Sequence, residues 1–269
     1  MRAPIRQSGF TLLEAIIAIV ITGIIGAMVA VFIARPVQGY IDSVRRAALT
    51  DVADLALKRM GIELRTAVPN SVRVDASGRY VEFIPARFGG RYCADVNPGC
   101  DALTFNGTDA VFRVLGPAHD AAANESLIVY NTGQTGLNAY AGDTRRTIAS
   151  SGTTTTDIAF SGSGYTLPSP TNRFQVVPTS GPVSFGCDTV GGVTTGTGTL
   201  RRYDSYGYKV AQATTGLGTG ALLAGQLAEC QFTYDAISAR NGLVTLRLRL
   251  LAETESVTLV HQIHVDNQP

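Results

Sequence analysis

The sequence predicts an α+β protein in which a long N-terminal membrane-spanning helix packs its C-terminal half on an antiparallel β-sheet domain. Three observations carry this. Phe10 to Ala34 is a run of 25 residues whose one ionisable side chain is Glu14. Beyond Pro36 the apolar residues recur in steps of three and four as far as about residue 65. From Pro69 onward the chain reads as short alternating runs bounded by turn residues.

The apolar run comes first. At about 1.5 Å per helical residue it is roughly 37 Å long, and the hydrocarbon layer of a bilayer is about 30 Å thick. A secretory signal peptide has a shorter apolar stretch, followed by a small-x-small cleavage site. This stretch is too long, and no such pair follows its centre. The head, Met1 to Gly9, carries Arg2 and Arg6 and no acid. The positive-inside tendency keeps that head cytoplasmic and sends the rest outward, which in a Gram-negative cell is the periplasm. Glu14 is the anomaly, because a carboxylate at the centre of a membrane helix costs about 2.5 to 3.5 kcal/mol. Near the cytoplasmic end the cost is lower, so a Glu snorkelling to the headgroups competes with a functional Glu that has a partner. Gly26, Ala30 and Ala34 recur every four residues and Gly23 lies nearby, a spacing that lets membrane helices approach closely but is common in any span. Pro36 predicts a kink or loosened hydrogen bonding at the membrane exit.

The helix continues past the membrane. Ile41, Val44, Ala48, Val52, Leu55 and Ile62 form an apolar stripe, while Asp42, Arg45, Arg46, Asp51, Asp54, Lys58, Arg59, Glu63 and Arg65 mostly occupy other faces. The helix is expected to end between Arg65 and Asn70, because Pro69 forbids continuation. An apolar stripe outside the membrane needs a cover, which the remaining chain must supply. The resulting division is 10–68 for the helix, with 10–34 in the membrane, and 69–269 for a β-rich domain.

Ser71 to Asp75 and Arg79 to Pro85 read as a hairpin around Ala76-Ser77-Gly78. Leu103 to Phe105, Val111 to Leu115, Ser126 to Asn131 and Arg173 to Val177 are further strand candidates. Gln226 to Tyr234, Leu243 to Leu251 and Ser256 to Val265 form an antiparallel meander, with Val244, Leu246, Leu248 and Leu250 on one face and Arg247 and Arg249 on the other. Ser150 to Thr156 and Gly191 to Thr199 read as surface loops.

Four cysteines, Cys93, Cys100, Cys187 and Cys230, fit an oxidising compartment. They allow three pairings. Asn97-Pro98-Gly99 is a turn that would bring Cys93 and Cys100 together across a six-residue loop, leaving Cys187 for Cys230. A zinc site is the alternative, but two to four residues between paired ligands are not found here; no metal and no cofactor is expected. His261 shares strand parity with Val257, Leu259, Ile263 and Val265 and reads as a core histidine, whereas His264 faces outward with Gln262 and Asp266. His119, after Gly116-Pro117, reads as a surface-loop residue.

Catalytic signatures are missing from the sequence: there is no G-x-S-x-G elbow, H-E-x-x-H, P-loop or EF-hand pattern. Gly216-Leu217-Gly218-Thr219-Gly220 has a third glycine one position early for a nucleotide loop and lacks the surrounding strand, helix and acid. With two lysines and a formal net charge of +1, no basic patch points to nucleic acid.

Gly9-Phe10-Thr11-Leu12-Leu13-Glu14 resembles the type IV prepilin signature, shared by pilins and the pseudopilins of type II secretion. The resemblance implies that Met1 to Gly9 is a leader, that prepilin peptidase cuts between Gly9 and Phe10, and that Phe10 becomes the methylated amino terminus. It also implies that Glu14, the fifth residue of the cut chain, pairs with the amino terminus of a neighbouring subunit. The physics is consistent: a free α-amine titrates near about 7.7 to 8.0, and opposite charges 4 Å apart attract by about 4 kcal/mol at an effective dielectric of about 20. Such a pair also fixes axial register, since a mismatch buries two unpaired charges.

"PVQGY", "RRAALTDVADLALKRMG", "RTAVPNSVRVD", "VEFIPARFGGRY" and the closing "HQIHVDNQ" are similar to the MshO group of minor pilins of the mannose-sensitive haemagglutinin (MSHA) pilus. This likeness covers the first 95 residues and the last 40; residues 130 to 220 carry no matching motif. It implies a structural protein rather than an enzyme, engaged in pilus assembly and cell adhesion. Its implied partners are other major and minor pilins, prepilin peptidase and the inner-membrane assembly platform. Its implied location is the inner membrane, with a periplasmic C-terminal domain, and then the pilus or its tip. A minor pseudopilin of type II secretion shares the head and helix. A signal-anchored periplasmic enzyme or binding protein would need no Gly9-Phe10 junction.

Overall fold

The computed structural model describes residues 9–95, 97–105, 107–149, 156–190, 196–238 and 240–269. Helix α1 runs Leu12–Leu64, 53 residues, with Pro36 in its interior. The helix therefore stays continuous at a position where the missing N–H removes one backbone hydrogen bond. Thirteen strands follow. The chain divides into two compact units, Met1–Ala48 and Leu49–Pro269.

In the first unit the apolar side chains of α1 have no cover: Leu12 is 79% exposed and Phe32 83%. α1 is long and apolar enough to cross a membrane.

In the second unit seven strands form one antiparallel sheet: β1 (Arg73–Val74), β2 (Tyr80–Phe83), β9 (Val183–Asp188), β10 (Gly198–Tyr203), β11 (Ala221–Asp235), β12 (Asn241–Ala252) and β13 (Glu255–Asp266), in spatial order β1-β2-β9-β10-β11-β12-β13. The expected hairpin is β1–β2, with Arg73 opposite Glu82. Its turn is fixed by Asp75, whose carboxylate accepts from the backbone N–H groups of Ser77, Arg79 and Tyr80 at 2.9, 2.9 and 2.7 Å. The expected meander is β11–β12–β13. Its alternation holds: Val244, Leu246, Leu248 and Leu250 are fully buried, while Arg247 and Arg249 reach Glu229 on the other face at 3.5 and 2.9 Å.

The C-terminal part of α1 covers the inner face of this sheet, through a different stripe from the one the spacing selects. Leu49, Ala53, Ala56, Leu57, Met60 and Leu64 are buried in one core with Phe83, Phe185, Phe232 and Leu246. Leu55 and Ile62 face away from it, 67% and 66% exposed. This stretch has two apolar faces, and the alanine-rich one wins because small side chains let the helix approach the sheet closely. At Gly61, a Cβ would already stand 3.2 Å from Nε2 of His261. His261 thus faces inward as its parity requires, half-buried against the helix.

The other six strands close a separate barrel: β3 (Phe88–Tyr92), β4 (Val111–Leu115), β5 (Ser126–Val129), β6 (Arg145–Ile148), β7 (Asp157–Ser161) and β8 (Arg173–Val177), in order β3-β4-β7-β6-β5-β8 with β8 bonded back to β3. It has its own core of Tyr92, Phe112, Phe160, Tyr165, Phe174 and aliphatic residues. The whole barrel is inserted between β2 and β9, which pair with each other at Phe83 and Val183. A small cluster of Val68, Ile84, Ile128, Ala139, Tyr140 and Val177 lies at the junction.

Two sequence expectations change here, and parts of two others are not described. Leu103 to Phe105 is buried or half-buried but forms no strand. Gly198 and Thr199, expected in a loop, open β10. Gly191–Thr195 of that loop, and Ser150–Thr155 of the other, lie outside the described residues.

Candidate functional site

The N-terminus of α1 is built by its own sequence. Gly9 and Phe10 precede the helix in non-helical conformation, and the Phe10 ring is 81% exposed. Thr11 caps the helix: its Oγ1 accepts from the backbone N–H of Glu14 at 3.3 Å, and its carbonyl accepts from that of Ala15 at 3.1 Å. Thr11-Leu12-Leu13-Glu14 has the spacing of a capping box. Glu14 stands in the first turn, where the positive end of the helix dipole favours a carboxylate. The residue that looked costly by depth is therefore at the position where helix electrostatics lower that cost. Two turns further on, the Thr22 hydroxyl donates to the Ala18 carbonyl and needs no water. Met1 to Ser8, including Arg2 and Arg6, lie outside the described residues.

The four cysteines form two bridges, Cys93 to Cys100 and Cys187 to Cys230, with Cα separations of 6.2 and 6.4 Å. The first closes the Asn97-Pro98-Gly99 turn in the barrel lobe; the second links β9 and β11, the two strands flanking β10. Among the described residues no group of His, Cys, Asp and Glu could hold a metal ion.

The remaining sequence candidates are dispersed. His264 is exposed on the outer face of β13. His119 is not a plain surface residue: its ring stacks on Phe88 at 5.9 Å, and Nδ1 accepts from the backbone N–H of Ala121 at 3.3 Å. Burial holds its pKa below the ordinary histidine value. The glycine-rich loop at 216–220 borders Arg202, whose Nε donates to Glu63 of α1 at 2.7 Å and whose other side pairs with Asp204. That guanidinium is committed to two carboxylates, and the neighbouring Arg201 donates to the Gly220 carbonyl at 2.8 Å.

One buried polar group escaped the sequence reading. Glu82 is fully buried and accepts from Arg73 Nε at 2.6 Å and from the Tyr206 hydroxyl at 2.7 Å. Arg73 also donates to the carbonyls of Lys209 and Val210 and lies 3.6 Å from the centre of the Tyr140 ring. Burial raises the pKa of Glu82, against the lowering effect of Arg73 and Tyr206. This group is a structural clasp: it fastens the 204–212 segment over β1 and β2.

Comparison with protein families finds the prokaryotic N-terminal methylation motif at residues 5–30. The head and first turns of α1 thus carry a type IV prepilin-like signal, which supports a pilin- or pseudopilin-like substrate of prepilin peptidase and fits a membrane-anchored pilin. No curated protein and no solved structure matches the chain.

Proposed function

We propose that this chain is a minor type IV pilin of the MSHA kind, resembling the MshO group, which works by assembly and not by catalysis. Prepilin peptidase cuts between Gly9 and Phe10, Phe10 is methylated, and the chain joins other pilins through α1 at the inner-membrane platform. The β-rich unit then stands in the periplasm, in the pilus or at its tip. The observation that carries this reading is the methylation motif over residues 5–30 with Glu14 in the first helical turn. The uncovered apolar residues of α1, including Leu55 and Ile62 outside the membrane run, support it, because a helix apolar on its open side needs neighbours.

Before cleavage no amine exists at Phe10. Afterwards its positive charge, drawn out of water by helix packing, has Glu14 of a neighbour as its partner, and one charge left unpaired would be strongly unfavourable. Mass spectrometry of the mature chain is expected to find methylated Phe10 at the amino terminus; a chain still beginning at Met1 refutes processing. Glu14→Ala is expected to insert normally, since it removes a burial cost, but to fail at incorporation. The motif fits a minor pseudopilin of type II secretion equally, and a deletion strain separates the two by losing pili or secreted enzymes.

A further inference from the structure

On the outside of the barrel two arginines face one another across a strand pair. β3 and β8 are in register so that Arg91 stands directly opposite Arg173, and Gly89 opposite Gln175. Tyr92 and Phe174, next in the chain to each arginine, belong to the barrel core. By strand alternation Arg91 and Arg173 therefore point outward, Arg91 exposed and Arg173 half-buried. Like charges placed directly opposite destabilise a sheet.

Elsewhere the fold answers an arginine with an acid: Arg73, Arg87, Arg113, Arg202 and Arg249 each hold a carboxylate. Among the described residues neither Arg91 nor Arg173 has one. Arg91 donates from Nε to the carbonyl of Thr171 at 3.1 Å, which steadies its side chain and leaves its terminal nitrogens without an acceptor there. The guanidinium of Arg173 and the amide of Gln175 likewise have no partner among the described residues.

The pair borders a hollow of about 210 Å³, lined by Gly89, Gly90, Arg91, Arg173, Phe174 and Gln175. The backbone of Gly89 is not in the left-handed region, so its conformation does not demand glycine. A Cβ there would stand 3.0 Å from the Phe174 carbonyl oxygen and 3.8 Å from Cγ of Gln175. What the missing side chain leaves is room beside the two guanidinium groups.

We infer that this hollow is a binding site for a phosphate monoester, whose oxygens accept from the terminal N–H groups of Arg91 and Arg173 and from the amide of Gln175. The planar guanidinium fork matches phosphate oxygens in pairs. A phosphate monoester carries about −1.5 to −2 at neutral pH, which balances both arginines; a carboxylate balances one. The bound group turns a cross-strand repulsion into two attractions. The site is independent of α1 and of processing at Gly9.

Titration of the full-length chain in detergent with inorganic phosphate and with glycerol phosphate, at an ionic strength held constant with chloride, tests it. Both are expected to bind and to raise the melting temperature. Arg91→Gln and Arg173→Gln are each expected to weaken binding by about tenfold or more. Arg247→Gln, at an arginine that already shares Glu229, is expected to leave binding unchanged. In phosphate-free buffer Arg173→Gln should melt no lower than the parent, because it removes a repulsion. Failure of the parent to bind, binding of inorganic phosphate without the ester, undiminished binding in either arginine variant, an equal loss in Arg247→Gln, or a less stable Arg173→Gln overturns the inference.

Discussion

Replacing Arg73 by Met tests the buried clasp around Glu82. The substitution keeps the length and apolar stem of the side chain but removes the guanidinium that meets Glu82 at 2.6 Å. Glu82, with no exposed surface, then keeps a single donor, the Tyr206 hydroxyl. Breaking one side of a buried ion pair costs about 3 to 5 kcal/mol. For a domain of this size each kcal/mol moves the melting temperature by about 2 to 4 °C, so a fall of about 6 to 20 °C is expected at neutral pH. The pH dependence identifies the cause. Burial already holds the folded pKa of Glu82 above its unfolded value, and loss of Arg73 raises it further. A carboxyl of that kind is protonated in both states below its unfolded pKa. The penalty therefore appears as pH rises above the unfolded pKa and is complete above the folded one. Thermal unfolding of Arg73→Met and the parent chain, followed by near-ultraviolet circular dichroism of the tyrosines, should show curves that converge toward about pH 4.5 and separate toward neutrality. The double variant Arg73→Met with Glu82→Met should recover most of the loss, because an apolar pair replaces the buried charges. A penalty equal at both pH values, or a double variant no better than the single one, would refute the reasoning.

Two further outcomes follow from α1. Gly61→Val is expected to lose about 1 to 3 kcal/mol by overpacking against the His261 ring, which a Cβ would meet at 3.2 Å; adding His261→Ala should return part of that loss in denaturant unfolding. Leu55→Asp with Ile62→Asp, both well exposed, should each leave stability within about 0.5 kcal/mol while depressing recovery of the chain in sheared pili. Unchanged recovery would leave that face without an assembly role.

How far the fold could be read in the sequence depended on the range of each signal. The meander was legible because β11, β12 and β13 are long and one face is continuously buried, so a period of two repeats many times. In the barrel β4, β5 and β8 were legible as short alternating runs, whereas β3, β6, β7 and the closure were not. β6 reads Arg-Arg-Thr-Ile and β3 begins Phe-Gly-Gly, too short or too polar to show alternation, and β3 closes on β8 through Gly89 and Gln175, far apart in the chain. The long apolar helix and the methylation motif at its start were legible because a capping residue, a carboxylate and an apolar run all lie within one local stretch. The helix stripe was misplaced for the opposite reason. Two apolar faces compete there, and the choice is made by Ala53, Ala56 and Gly61, whose value is the room they leave for the sheet. The Arg73, Glu82 and Tyr206 clasp joins residues up to 133 positions apart, counting from Arg73 to Tyr206, and no local pattern announces it.

The barrel departs from the sheet and rejoins it at neighbouring residues, Phe83 and Val183. The host therefore feels a guest of almost a hundred residues much as it would feel a tight turn, because closing a longer loop adds little entropy once its ends are already side by side. Such a doorway lets the sheet carry a separately cored lobe, so that changes inside the visitor need not disturb its mounting on β2 and β9.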